Sequence, residues 1–302
     1  MKDFDKRLAG IIGSDRIRTG ELMSGHTTLR VGGPADYYVE PETKEELAGL
    51  LALCREAGQD FMILGNGSNL LVGDGGYRGV MIALGKAFSE ITVEGNRIRA
   101  GAGAMLAAAA KQALSHGLTG MEFAAGIPGT VGGTVFMNAG AYGSDMSAVL
   151  ETVTVMNQAG EVLELPASRL ELGYRTSCIG REGYVVMEAV ILLQPGEETA
   201  IRARMDELAL QRRTKQPLEY PSAGSTFKRP AGYFAGKLIE DAGLRGFCVG
   251  GAQVSEKHCG FVINRGGATA ADVMNLCRAV QQKVKEQSGV NLEMEVKTLG
   301  DF

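Results

Sequence analysis

The segment 123–144, FAAGIPGTVGGTVFMNAGAYGS, carries no charged side chain and is as long as a bilayer-spanning helix, yet it holds six glycines and Pro128. In lipid such a backbone would leave N–H and C=O groups unpaired, so the segment is expected to be a loop-rich binding stretch. It belongs to a chain with 43 glycines against eight prolines and no G-X-Y period. That usage marks many places where the backbone turns sharply or is approached closely. The remaining composition is ordinary: hydrophobic residues make up 45% and charged ones 22% of 302, which excludes a disordered or membrane-embedded class. Lys and Arg number 31 against 35 Asp and Glu, and the isoelectric point is near 5.6. There is no excess positive field to hold a polyanion, so no nucleic-acid partner is expected.

Cys54, Cys178, Cys248, Cys259 and Cys277 are an odd number, widely spaced and without a CxxC pair. They read as reduced thiols of a cytoplasmic protein, not as a disulfide framework or a zinc ribbon. The start, MKDFDKRLAGII, is broken by acids and lacks the apolar core of a secretion signal. No membrane partner is expected.

Periodicity divides the chain into three blocks, 1–83, 84–197 and 198–302. The first reads as strand, helix, strand: VGGPADYYVEP, then TKEELAGLLALCREAG with a Thr43/Glu46 capping box and Gly58 as a left-handed cap, then FMILGNGSNLLV. The second alternates β-rich runs (GVMIALG, EITVEGNRIRAGAG, LETVTVMNQAGEVLELP, GYVVMEAVILLQP) with the helix MLAAAAKQALSHG and the glycine-rich stretch. A helical boundary, PGEETAIRARMDELALQRRTKQP, leads into the third block. That block holds YPSAGSTFKRP, FAGKLIEDAGL, FCVGGAQVS, CGFVINRGG, the amphipathic helix AADVMNLCRAVQQKVKEQSG and a closing strand NLEMEVKTL. The class is α+β, with no internal repeat.

Two loops have the makings of oxyanion sites. In Gly65-Asn66-Gly67-Ser68-Asn69, a buried strand runs into two glycines flanked by amide and hydroxyl donors. It fails as a dinucleotide fingerprint, because Leu70 replaces the third glycine of GxGxxG and no helix follows. The chain also lacks the GK[ST] of a phosphate-binding P-loop. The second loop, Gly126-Ile127-Pro128-Gly129-Thr130-Val131-Gly132-Gly133, is followed by Asn138-Ala139-Gly140-Ala141. Its uncharged glycines allow a diphosphate to lie against main-chain donors. Tight packing, where glycine is needed for closeness only, accounts for either loop as well.

Taken together in order and spacing, a set of motifs identifies a family. They are TLRVGG at 28–33, LGNGSNL at 64–70, the 126–133 loop, GYRTS at 173–177, SAGSTFK at 222–228, GKLIE at 236–240, HCGFVIN at 258–264 and LEMEV at 292–296. The chain resembles the UDP-N-acetylenolpyruvoylglucosamine reductase (MurB) family over nearly its whole length. That resemblance implies a two-part FAD-binding region of the vanillyl-alcohol-oxidase type followed by a C-terminal α+β substrate-binding domain. Arg30, Gly65, Asn66, Gly67, Ser68, Asn69, Gly126, Ile127, Pro128, Gly129, Gly132, Gly133, Asn138 and Gly140 then hold a non-covalent FAD, with the 126–133 loop near its pyrophosphate. Tyr174, Lys215 and Lys228 meet the substrate, and Arg175, Ser225 and Glu295 are catalytic. His26, Cys54 and His116 lie in the FAD region, but none matches a covalent-attachment motif.

The implied reaction is reduction of a UDP-sugar enolpyruvyl ether by NADPH through the flavin, a cytoplasmic step of peptidoglycan precursor synthesis, carried out by a monomer. Hydride arriving at the terminal carbon pushes charge onto the adjacent carbon and its carboxyl group, and a proton must follow. By the family match Arg175 grips the carboxylate with its planar fork, Ser225 delivers the proton, and Glu295 in its acid form shares the enolate charge. A surface arginine after a turn, a serine-rich turn and a solvated strand face bearing Glu293, Glu295 and Lys297 are the plain structural readings of the same residues. Lys215 could equally close its helix as a cation at the C-terminal end. Arg229 stands where the family often has Asn, and the long insertion that carries a substrate-covering tyrosine is missing, as in the shorter branch. His258 and Cys259 are adjacent and would face opposite ways on a strand, so no metal site is assigned. The other readings weighed are a flavin oxidase of the same fold acting on an alcohol or sugar, and a nucleotide-sugar binding protein without catalysis.

Overall fold

The computed structural model describes residues 3–302, and Met1 and Lys2 lie outside the described residues. The chain divides into two compact units. One comprises the residues up to Thr19 with Tyr37–Asn66 and Gly79–Gln211; the other comprises Gly20–Asp36, Gly67–Arg78 and Arg212–Phe302. The three consecutive blocks read from periodicity do not map onto these units. Parts of 1–83 go to each, and the helix Glu198–Lys215, expected to open the third block, lies mostly in the first unit.

In the first unit, an antiparallel five-stranded sheet has the order Val162–Pro166, Leu150–Met156, Val185–Leu192, Arg97–Gly101, Ile91–Glu94. Its central strand Val185–Leu192 is buried at six of eight positions, as expected of a strand covered on both faces. The short helix Val131–Phe136, cut from the glycine-rich stretch, packs against it. The strand Phe61–Leu64 pairs in parallel with Tyr77–Ala83, Phe61 opposite Val80 and Leu64 opposite Ala83. Between these two strands the chain forms the 65–69 loop.

The helix Lys44–Ala57 starts where Thr43 Oγ1 accepts from the Glu46 N–H at 3.1 Å, and it ends at Gly58 with φ 61°. The expected box is only half present. The Glu46 carboxylate accepts instead from the Glu42 N–H at 2.7 Å and from Arg16 at 2.6 Å. The Arg16 hydrogen bond is the main reason that this carboxyl titrates below the usual range. Leu47, Leu50, Leu51, Leu53 and Cys54 face the core, each leucine contributing roughly 1.5–3 kcal/mol of transfer free energy on burial. Burial pushes the Cys54 thiol up to about 11.

The second unit has its own core. Leu29, Val31 and Leu71 from the early stretches pack with Phe227, Ile239, Val254, Val262, Leu276 and Val280. Its antiparallel sheet runs Ser222–Ser225, Phe261–Asn264, Ala252–Val254, Cys248–Val249. The helix Ala270–Ser288 covers this sheet, opened by a complete Thr269/Asp272 capping box and closed by Gly289 with φ 73°. Asp74 extends the cap, its carboxylate accepting from the N–H groups of Ala270 at 2.7 Å and Ala271 at 2.8 Å. The strand Leu70–Val72 pairs in parallel with Lys297–Leu299. The closing strand is shorter than the sequence pattern predicts: 293–295 holds only a single antiparallel bridge, Met294 to Phe227, and regular strand begins at Lys297.

Candidate active site

The two glycine loops meet within the first unit. Asn66 Nδ2 donates to the Pro128 carbonyl at 2.6 Å, and Gly65 lies so close to Thr130 that a Cβ would come within 2.3 Å of Thr130 Oγ1. Thr130 in turn caps Val131–Phe136, its Oγ1 accepting from the Gly133 N–H at 3.5 Å. Gly65 is therefore a packing glycine. Gly133, by contrast, is exposed, and a Cβ there would meet nothing closer than 3.5 Å. A diphosphate suits this donor set, because 65–69 and 123–141 carry neutral amides, hydroxyls and main-chain N–H groups with no carboxylate to repel it. In the second unit Gly67 is buried at φ 59° and accepts from the Thr28 N–H at 3.2 Å, and Asn69 Nδ2 donates to the Glu295 carbonyl at 3.1 Å. Arg30 is exposed at φ 55° in the turn that the Thr27 hydroxyl closes on Val31.

Arg175 sits on a tight turn. Gly173 and Thr176 exchange two main-chain hydrogen bonds of 3.1 and 3.3 Å, leaving Tyr174 and Arg175 as the two central residues. Arg175 has φ 56°. A left-handed conformation at a residue with a Cβ costs roughly 1–2 kcal/mol, and a turn of this kind ordinarily puts Gly or Asn there. The guanidinium lies 5.1 Å from the Tyr174 ring centroid, and Nη2 donates to the Gly140 carbonyl at 3.0 Å. Tyr174 is exposed, with Arg175 half-buried beneath it.

Gly140 belongs to a second tight turn. Gly140–Ala141 pairs with Ser144–Asp145 across Tyr142 and Gly143, whose φ values are 56° and 87°. Positive φ at both central residues is the two-residue hairpin geometry that matches strand twist. A Cβ on Gly140 would approach the Ser144 carbonyl to 2.4 Å, so closeness requires glycine there. Tyr142 reaches the Leu208 carbonyl with its hydroxyl at 3.4 Å.

Ser225 and Glu295 lie in the second unit, joined through main chain. The Glu295 N–H donates to the Thr226 carbonyl, and the Lys228 N–H donates to the Glu293 carbonyl, both at 2.8 Å. This pairing sets the 225–228 and 293–295 segments side by side, with Ser225 exposed and Glu295 half-buried. It also separates the two glutamates. Glu293 is exposed and takes Lys228 in an ion pair, so Lys228 is already engaged by a carboxylate. Lys215 is exposed at the last residue of Glu198–Lys215. Arg229 stacks 4.0 Å from the Phe234 ring centroid, and its Nε donates to the Tyr233 carbonyl at 3.3 Å.

Sequence reasoning missed the part played by the Asn138 side chain. It is 2% exposed, with Nδ2 donating to the Gly173 carbonyl and Oδ1 accepting from the Ser147 N–H, both at 3.0 Å. The hint in the sequence was an amide residue at the end of a glycine run, which favours left-handed backbone; its φ is 41°. Among the described residues, no group of three His, Cys, Asp or Glu side chains is placed to hold a metal. No helix among the described residues is long and apolar enough to cross a membrane.

Comparison with known proteins identifies the family. Residues 35–166 match the profile of an FAD binding domain, and residues 216–299 match the UDP-N-acetylenolpyruvoylglucosamine reductase C-terminal domain. The chain is 49% identical over 299 residues to the UDP-N-acetylenolpyruvoylglucosamine reductase of Clostridium novyi (strain NT), covering 99% of this chain and 97% of the relative. It is 51% identical over 296 residues to that of Geobacillus kaustophilus (strain HTA426), covering 98% and 97%. Among solved structures, the UDP-N-acetylenolpyruvylglucosamine reductase (MurB) from Thermus caldophilus aligns with a TM-score of 0.83 at 37% identity, covering 94% of this chain and 99% of that one. The fold class expected from the sequence, a vanillyl-alcohol-oxidase-type FAD-binding region with a C-terminal α+β domain, accords with both profile matches. With about half its residues shared along almost its full length, the chain belongs to the UDP-N-acetylenolpyruvoylglucosamine reductase family of FAD-dependent oxidoreductases.

Proposed function

We propose that the chain reduces UDP-N-acetylglucosamine enolpyruvate to UDP-N-acetylmuramate with NADPH as reductant, a cytoplasmic step of peptidoglycan precursor synthesis. The main support is the pairing of 225–228 with 293–295, which brings a hydroxyl-bearing and a carboxyl-bearing segment together in a chain whose relatives carry the reductase name. Bound FAD supplies the hydride, and Asn66, Thr130 and the exposed main chain around Gly133 are the groups that would hold its diphosphate. The protein handles charge and protons.

As the enolpyruvyl double bond takes up hydride, negative charge grows on the neighbouring carbon and its carboxylate. The Arg175 guanidinium meets that carboxylate through two parallel N–H donors, and the Gly140 carbonyl on Nη2 helps to aim it. The Ser225 Oγ–H gives its proton to the carbon. A serine alkoxide is a costly product, and the cation assigned to offset it is Lys228, three residues along the chain, its charge tempered by Glu293. Glu295 in its acid form donates to the enolate oxygen and spreads the charge further. No second nucleotide fingerprint appears in the sequence, which fits one pocket used by NADPH and by the enolpyruvyl substrate in turn.

An anaerobic half-reaction experiment tests the reading. NADPH alone is expected to bleach the flavin absorbance, and the enolpyruvyl substrate alone to restore it. No bleaching by NADPH, together with rapid hydrogen peroxide formation from an alcohol or sugar donor when oxygen is admitted, overturns it in favour of an oxidase.

A further inference from the structure

Among the described residues, five that are not glycine have positive φ: Arg30, Asn138, Tyr142, Glu171 and Arg175. Four of them fall in two short stretches, 138–142 and 171–175. These stretches are tied by two hydrogen bonds, Asn138 Nδ2 to the Gly173 carbonyl and Arg175 Nη2 to the Gly140 carbonyl, each 3.0 Å. Strained backbone persists only where its surroundings over-determine it. One buried side chain joins both stretches. Asn138 is buried, and its amide joins the Ser147 N–H, just past the 140–145 hairpin, to the carbonyl of Gly173, the first residue of the Arg175 turn.

We infer that Asn138 is a positioning residue for Arg175, holding the Tyr174-Arg175 turn against the hairpin that presents the Gly140 carbonyl. The inference rests on the catalytic role proposed for Arg175. It gives Asn138 a task different from cofactor contact. Asn138→Asp keeps an acceptor for Ser147 but removes the donor to Gly173. Asn138→Gly removes both while its backbone takes φ 41° without strain.

The test uses the flavin-loaded enzyme with Asn138→Asp, Asn138→Gly, Arg175→Ala and the Asn138→Asp/Arg175→Ala double variant. In the two Asn138 single variants, with flavin still bound, reoxidation by the enolpyruvyl substrate is expected to slow roughly 10–100-fold, the scale of a 1 Å misplacement. The double variant is expected to lose no more than about threefold beyond Arg175→Ala, because both changes remove one function. Independently of turnover, amide exchange of Gly173 and Thr176 is expected to rise about tenfold or more in either Asn138 variant.

Loss of flavin in either Asn138 variant overturns the inference and returns Asn138 to the cofactor. So does multiplicative loss in the double variant, or parental reoxidation in Asn138→Asp while Arg175→Ala is crippled. Failure of both Asn138 variants to fold overturns it too, leaving a residue needed for the fold alone. If the parent enzyme is never reoxidised by the enolpyruvyl compound, the functional reading has failed, whatever the exchange data give for Asn138.

Discussion

At the scale of single residues, the proposed chemistry separates three side chains by what each is asked to do. Ser225 is exposed beside a buried Thr226 whose hydroxyl accepts from the Val262 N–H at 2.9 Å, so removing the Ser225 hydroxyl leaves that strand contact in place. Ser225→Ala is expected to leave reduction by NADPH within about threefold and to slow reoxidation by the enolpyruvyl substrate by about 10²–10⁴-fold, the usual weight of a positioned proton donor. Stopped-flow flavin absorbance reads both; equal loss in the two steps would show that the serine has another role. Arg175→Lys is expected to slow reoxidation at least tenfold, because an ammonium cannot hold the Gly140 carbonyl and still offer a planar fork. The residue types to which this work is assigned were legible in the sequence through the GYRTS, SAGSTFK and LEMEV motifs. The LEMEV match also picked Glu295 over Glu293, but the ion pair that occupies Glu293 was not legible, because Lys228 is 65 residues away along the chain.

At the scale of elements, local signals read best. Thr43 and Gly58 bound Lys44–Ala57, and the amphipathic run after Thr269 is the helix Ala270–Ser288, since caps and periodicity are contained within a few turns. Alternation misled at 293–297, where a strand pattern meets its partner by one bridge only and the backbone departs from regular pairing. The glycine loops held two meanings that the sequence left undecided. Gly65 is required by Thr130, so Gly65→Ala is expected to overpack the contact between the 65–69 and 126–133 loops. The cost is about 1–3 kcal/mol, read as a lower thermal midpoint by roughly 2–4 °C per kcal/mol. Adding Thr130→Ala, which removes the clashing Oγ1, should cost less than the sum of the two single changes. Strict additivity in thermal melts would show that the contact is not tight.

At the scale of the whole molecule, periodicity gave three consecutive blocks, whereas the structure forms two units, each from separated stretches. Patterns along a chain report which face is apolar and not which distant face covers it. Leu29, Val31 and Leu71 are ordinary core positions by pattern, yet they complete a core made mostly by residues after 212. A fragment 212–302 would lack them, together with the Asp74 cap and the strand that pairs with Lys297–Leu299. It is expected to show no cooperative thermal transition by circular dichroism, and a sharp one would mean that these stretches are dispensable. During synthesis the dependence runs in the other direction. Leu29, Val31 and Leu71 leave the ribosome before the rest of their core, a delay of roughly 10–45 s at about 5–20 residues per second. For that interval their apolar side chains are bare, so nascent-chain holding factors, or simply slow rescue from aggregation, have a defined window in which to decide the yield of this protein.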